Sequence, residues 1–261
     1  DFGESWSDIS NNLPDGPINV VREHHDNPGL LFVGTDFQVF ASINGGASWA
    51  GMKGDMPTVP VHDIRIHARE NDLVVGTHGR GIYIADLAPL AEMTEDLLAM
   101  DAHFFRPESK VRWIAPDFTN YGSSNFEGES EAAEIPLYYY LSNDTDEDIT
   151  FTVYQGQFPI YEIEGEGGAG LHRVAWNMQK RLERSAEEQA SASSGGGRGR
   201  GGGFGGRGRG RGNAGISAED RVRFEFSQAP IGEYRVVMTV GSQVFEHTVS
   251  ILKDEWWQER R

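Results

Sequence analysis

The segment Asp1-Phe2-Gly3-Glu4-Ser5-Trp6 returns as Asn44-Gly45-Gly46-Ala47-Ser48-Trp49, with the acid or amide, the glycine and the tryptophan each displaced by 43 positions. Leu31-Phe32-Val33-Gly34-Thr35 returns as Leu73-Val74-Val75-Gly76-Thr77, displaced by 42, and Arg22 and Arg65 keep the register between them. A repeat of this length built from short β runs requires that each unit bury its apolar faces against its neighbours. It is the signature of a β-propeller, one four-stranded blade per repeat.

The repeated hexapeptide reads as a tight turn. Asp1 or Asn44 caps the backbone, Gly3 or Gly46 takes a positive φ, and Trp6 or Trp49 anchors the turn in apolar packing. A calcium loop would need several more oxygen ligands at alternate positions, so the box is structural and no metal or cofactor is expected.

Alternation outward from the boxes predicts strands over 18–23, 30–35, 39–43 and 48–52, then over 61–67, 73–77 and 81–85. Asp86 then stands at the box position, but no glycine or tryptophan follows it and the repeat stops. The expectation is an all-β chain whose residues 1–88 are the closing blades of an incomplete ring. A ring takes about 4 to 8 blades, so the others are expected upstream in the same protein or in a partner chain, with the N-terminus truncated inside a repeat.

These residues resemble the BNR or Asp-box proteins of the sialidase, xyloglucanase and sortilin type. Leu13-Pro14-Asp15-Gly16-Pro17, Val59-Pro60-Val61-His62-Asp63 and Leu73-Val74-Val75-Gly76-Thr77-His78-Gly79-Arg80-Gly81 look like the last blades of large secreted bacterial proteins called glycosyl hydrolases by similarity. Gly170-Leu171-His172-Arg173-Val174-Ala175-Trp176-Asn177 and Pro230-Ile231-Gly232-Glu233-Tyr234-Arg235-Val236 resemble the β-sandwich that follows the propeller in that group. The resemblance implies a secreted or periplasmic recognition protein, with glycoside hydrolysis as an alternative. Hydrolysis needs two opposed carboxyl groups about 5 to 9.5 Å apart. No motif here supplies that pair, so catalytic carboxylates would lie upstream.

Chain direction reverses at each strand, so the start of a blade's first strand and the turn after its second converge on the face away from the boxes. In the second blade those places carry His62, Asp63, His78 and Arg80. Two imidazoles, a carboxylate and a guanidinium suit a carboxylate, phosphate or sugar hydroxyl. The alternative is that Arg80 and Asp63 pair with each other while the histidines satisfy backbone groups. A metal set of His62, Asp63 and His67 is disfavoured because alternation sends His62 and Asp63 to opposite faces. His24-His25-Asp26 reads as a solvated loop.

Residues 89–134 read as a bridge: a short helix within 89–100 capped by Thr94, an apolar stretch with Phe104, Phe105, Val111 and Trp113, and an exposed linker from 117. Residues 135–261 read as an antiparallel immunoglobulin- or fibronectin-like sandwich with strands near 137–141, 149–154, 171–176, 222–226, 234–240 and 244–252. Its core is expected to take Tyr138, Tyr140, Phe151, Val153, Val174, Trp176, Phe224, Tyr234, Val236 and Met238. An insertion at about 183–219, dense in glycine and arginine around Phe204, cannot bury enough surface to fold and is expected to be disordered.

That insertion also has the composition of RNA-binding tails. The whole chain opposes this: 40 acidic against 23 basic residues give a formal net charge of -17, unsuited to phosphate backbones. With no cysteine, thiolate chemistry and disulfides are excluded. No apolar run reaches the roughly 20 residues of a membrane span.

Overall fold

A computed structural model describes residues 2–52, 54, 56–113, 132–183 and 223–255. They are nearly all β, arranged in several sheets without a closed barrel, which is the class expected. The chain divides into two compact units: Asp1–Arg106 with Tyr138–Thr145 and Gly168–Leu171, and Pro107–Leu137 with Asp146–Gly167 and His172–Arg261.

In the first unit, β1 (Ile18–Glu23), β2 (Leu31–Thr35), β3 (Val39–Ser42) and β4 (Ala50–Gly51) form a four-stranded antiparallel sheet in chain order. β5 (Val61–His67), β6 (Asp72–Thr77) and β7 (Ile82–Asp86) form a three-stranded sheet in chain order. The two sheets share register residue by residue. Arg22 faces Phe32 and Phe32 faces Ala41, as Arg65 faces Val74 and Val74 faces Ile84. Both also carry an irregularity at the same point, between Ile18 and Val20 and between Val61 and Asp63. A shared bulge is a feature of the repeat and not a local defect.

The sheets pack face to face through Val20, Phe32, Val39 and Ala41 of the first and Val61, Ile64, Leu73 and Val75 of the second. Gly34 lies against this contact: a Cβ there would lie 2.6 Å from a methyl group of Val20 in its own sheet and of Val61 in the other. The other face of the first sheet buries Leu31, Val33, Phe40 and Trp49, with Leu13 packed against them.

After β7 the chain enters α1 (Ala88–Glu92) and α2 (Glu95–Leu98), and the Thr94 hydroxyl accepts from Leu97 N–H at 3.2 Å as the cap of α2. The helix is thus two short turns. β8 (Ala102–Phe104) pairs antiparallel with Tyr139, Tyr140 and Leu141 of β10 (Ile135–Leu141). Phe104 and Phe105 are buried and Trp113 is exposed.

In the second unit a five-stranded sheet runs in the order β12 (Phe158–Glu164), β11 (Ile149–Gln155), β16 (Gly232–Val240), β17 (Gln243–Lys253), β9 (Lys110–Arg112). Its neighbours are antiparallel except β17 with β9. β14 (Gln179–Glu183) pairs with β15 (Phe224–Gln228). β13 (Gly170–Trp176) ends on Trp176, fully buried edge-on against Tyr234.

Phe151, Val153, Trp176, Tyr234, Val236 and Met238 are buried as expected, but Val174 and Phe224 are only partly covered. Tyr138 and Tyr140 are also half-buried, and the core side of β10 is Ile135, Leu137, Tyr139 and Leu141. In a run of three tyrosines the pleat's phase is set by the aliphatic residues on either side, and these fall on odd positions. The bulk of the linker (114–131) and of the glycine- and arginine-rich insertion (184–222) lies outside the described residues.

Candidate functional site

The box turn of the first sheet is built by side chain to backbone bonds. Asn44 Oδ1 accepts from Ser48 N–H at 2.9 Å, Ser42 Oγ accepts from Gly46 N–H at 2.9 Å, and Gly45 and Gly46 take φ of 66° and 89°. Trp49 is buried and its indole N–H donates to the Ile9 carbonyl at 2.7 Å, while Asn12 bonds both Trp49 backbone groups. In the first copy Gly3 has φ 87° and Trp6 Nε1 donates to the Gly3 carbonyl, yet Trp6 is almost wholly exposed. The anchoring expected of Trp6 is therefore not realised: a box tryptophan needs sheet residues to pack on, as Trp49 has Leu31, Val33 and Phe40. Asp1 lies outside the described residues.

The opposite rim holds the start of β5 and the β6–β7 turn together. His78 N–H donates to the Pro60 carbonyl at 2.9 Å, and the His62 and His78 rings meet at 4.9 Å with a 47° tilt. The turn is closed by the Thr77 hydroxyl, which donates to the Gly81 carbonyl at 2.6 Å, and Gly79 and Gly81 take φ of 75° and 92°. His78 and Arg80 are exposed on this turn, and His62 is exposed beside it at the start of β5.

Asp63 follows a different course. Its carboxylate accepts from Arg22 of the neighbouring sheet at 2.8 Å, from Arg65 at 3.0 Å and from Ile64 N–H at 3.0 Å. Desolvation pushes this carboxyl up, but the hydrogen bond and charge of Arg65, the Ile64 N–H and the charge of Arg22 outweigh it and hold it below the ordinary carboxylate range. Asp63 is therefore a structural anion between two guanidiniums, and a poor proton donor. Its pairing with Arg80 does not occur.

The register adds two residues that sequence reading passed over. Asn19 and Asp36 are the first-sheet counterparts of His62 and His78, and Asn19 Nδ2 donates to Asp36 Oδ1 at 2.9 Å. The two turns are tied through one segment, since Val59 N–H donates to the Phe37 carbonyl and the next carbonyl, of Pro60, accepts from His78. The signal that finds Asn19 and Asp36 is the repeat itself. The second turn is one residue longer, which changes the displacement from 42 to 43 and makes room for Arg80.

Elsewhere, His24 is buried and not solvated as expected. Its Nδ1 accepts from Asp26 and Asn27 N–H at 3.3 and 3.2 Å, which leaves the proton on Nε2, bonded to Asn71 Oδ1 at 2.9 Å. His25 stacks on it at 4.4 Å. Among the described residues no group of three or more His, Asp or Glu side chains is arranged to hold a metal, and no helix is long and apolar enough to cross a membrane.

No family model matches the sequence and no curated protein matches it. Among solved structures the chain is similar to the extracellular domain of a putative one component system from B. thetaiotaomicron, with 7% identity and a TM-score of 0.22, covering 94% of this chain and 26% of that one. The chain thus spans about a quarter of that structure's length, and a likeness of this degree bears neither on fold nor on function.

Proposed function

We propose that the first unit is a pair of consecutive propeller blades in an exported recognition protein, and that the rim bearing His62, His78 and Arg80 binds an acidic glycan. The observation that carries this reading is Arg80. It stands exposed on a turn one residue longer than its counterpart, with no hydrogen bond or ion pair among the described residues, beside two imidazoles in ring contact. A guanidinium supplies up to five donors to a carboxylate, and the imidazoles and Asn19 supply donors and acceptors for hydroxyls.

The second unit is read as an immunoglobulin-like accessory module. No catalytic pair is assigned to the rim, because among the described residues its acids are Asp63, held by two arginines, and Asp36, bonded to Asn19.

The test is calorimetric titration of the chain with a glucuronate-containing oligosaccharide and with its neutral glucose equivalent. The acidic ligand binds more tightly, and Arg80→Ala weakens it by about tenfold or more, the scale of one charge-assisted contact, while thermal stability is unchanged. Equal affinity for both ligands, or an Arg80→Ala variant that binds like wild type, overturns the reading.

A further inference from the structure

The β2–β3 turn and the β6–β7 turn are built on one frame. The Thr35 hydroxyl donates to the Gln38 carbonyl at 3.0 Å, as the Thr77 hydroxyl donates to that of Gly81. Within the frame Asp36 stands where His78 does, and Phe37 stands where the longer turn carries Gly79 and Arg80. The frame repeats and the displayed side chains do not, which separates what holds the turn from what the turn presents. Phe37 is 50% exposed although the second sheet is in place beside it, its own carbonyl accepting from Val59 N–H at 3.0 Å. A Cβ on Gly16 would lie 3.8 Å from the ring, so Gly16 adjoins Phe37 without a side chain to cover it.

Val59 precedes a proline, which favours extended backbone, and in extended chain the N–H of one residue and the carbonyl of the next point to opposite sides. Val59 N–H bonds the Phe37 turn and the Pro60 carbonyl accepts from His78. The two turns therefore flank this segment, about 10 Å apart by the spacing of neighbouring strands. One sugar ring does not reach from Phe37 to the His78 turn, and an oligosaccharide does.

We propose that Phe37 is a stacking subsite for a neutral pyranose, so that the rim reads an oligosaccharide in which a neutral sugar lies beside a uronate. The face of an aromatic ring is the negative part of its quadrupole and attracts the C–H groups of a pyranose laid on it. Asp36, next in the chain, accepts from the hydroxyls of that sugar and disfavours a second carboxylate there. Arg80 takes the uronate at the other turn. The inference rests on the acidic-glycan reading of the rim and adds what sits beside the acid.

Calorimetric titration of the intact chain with three tetrasaccharides tests this: one alternating glucose and glucuronate, one of glucose alone and one of glucuronate alone. The alternating ligand binds most tightly. Phe37→Ala weakens it by about three- to tenfold, the scale of one aromatic contact, and weakens the glucose ligand by the same factor, whereas Arg80→Ala acts on the acidic ligands only. Phe37→Tyr binds like wild type, and Phe37→Leu, which keeps the bulk without a flat face, binds like Phe37→Ala. If Phe37→Ala melts early, the tyrosine and leucine variants carry the comparison. A Phe37→Ala or Phe37→Leu variant with wild-type affinity overturns the stacking subsite and leaves the reading of Arg80 standing, while failure of all three ligands to bind overturns both. An all-glucuronate ligand that binds as tightly as the alternating one overturns the proposal, as does a tetraglutamate peptide whose binding depends equally on Phe37.

Discussion

Arg22 of the first sheet donates to both the Ile64 carbonyl and the Asp63 carboxylate of the second, at 2.7 and 2.8 Å. One side chain therefore joins two repeats at their inner strands. Arg22→Ala is expected to lower the melting temperature by a few degrees, and Arg22→Lys to recover little of it, since an ammonium cannot span both acceptors in the fork geometry of a guanidinium. Differential scanning calorimetry of the three proteins decides.

The same ion pair has a pH signature. The folded carboxyl of Asp63 lies below its unfolded value, so its contribution is present above the unfolded pKa and is lost as pH falls through the folded one. The melting-temperature gap between wild type and Asp63→Asn should be steady near neutrality and close as the solution is acidified. A gap that widens in acid would contradict the assignment.

Two glycines at matched positions should respond differently to alanine. A Cβ on Gly34 meets the Val20 and Val61 methyls at 2.6 Å, whereas one on Gly76 meets nothing closer than the Asp63 carbonyl at 3.6 Å. Gly34→Ala is expected to cost about 1–3 kcal/mol in denaturant unfolding, as overpacking does. Gly76→Ala should be close to neutral.

The two box tryptophans separate packing from motif. Trp49 is buried with its indole bonded, and Trp6 is exposed. Trp49→Ala should cost about 3 kcal/mol or more, and Trp6→Ala should change stability by less than about 0.5 kcal/mol. Equal losses would mean that the turn sequence and not its packing carries the energy.

The strands of the two repeated sheets were legible because two signals agreed, the repeat and the period-2 alternation. β1 and β5 begin and end where alternation places them, and the Thr94 cap was readable from the helix formers after it. β12 was not legible: Pro159 inside it reads as a break, and the strand tolerates proline because it lies at a sheet edge. β14, with the sequence QKRLE, carries no apolar period at all. His24 was misread because burial of a histidine depends on three partners brought together by folding, two of them backbone N–H groups that no side-chain pattern records. At the rim, sequence brought His62, His78 and Arg80 to one end but placed Asp63 with them, since the partner that claims it, Arg22, comes from the preceding repeat.

The most direct test of the rim site is NMR of the histidine side chains during titration with the glucuronate oligosaccharide. The account predicts that the imidazole signals of His62 and His78 move together and saturate, while those of the buried His24 stay fixed, and that Arg80→Ala removes the movement. Saturating shifts at other histidines with His62 and His78 unmoved, or no shift at any of them, would contradict it.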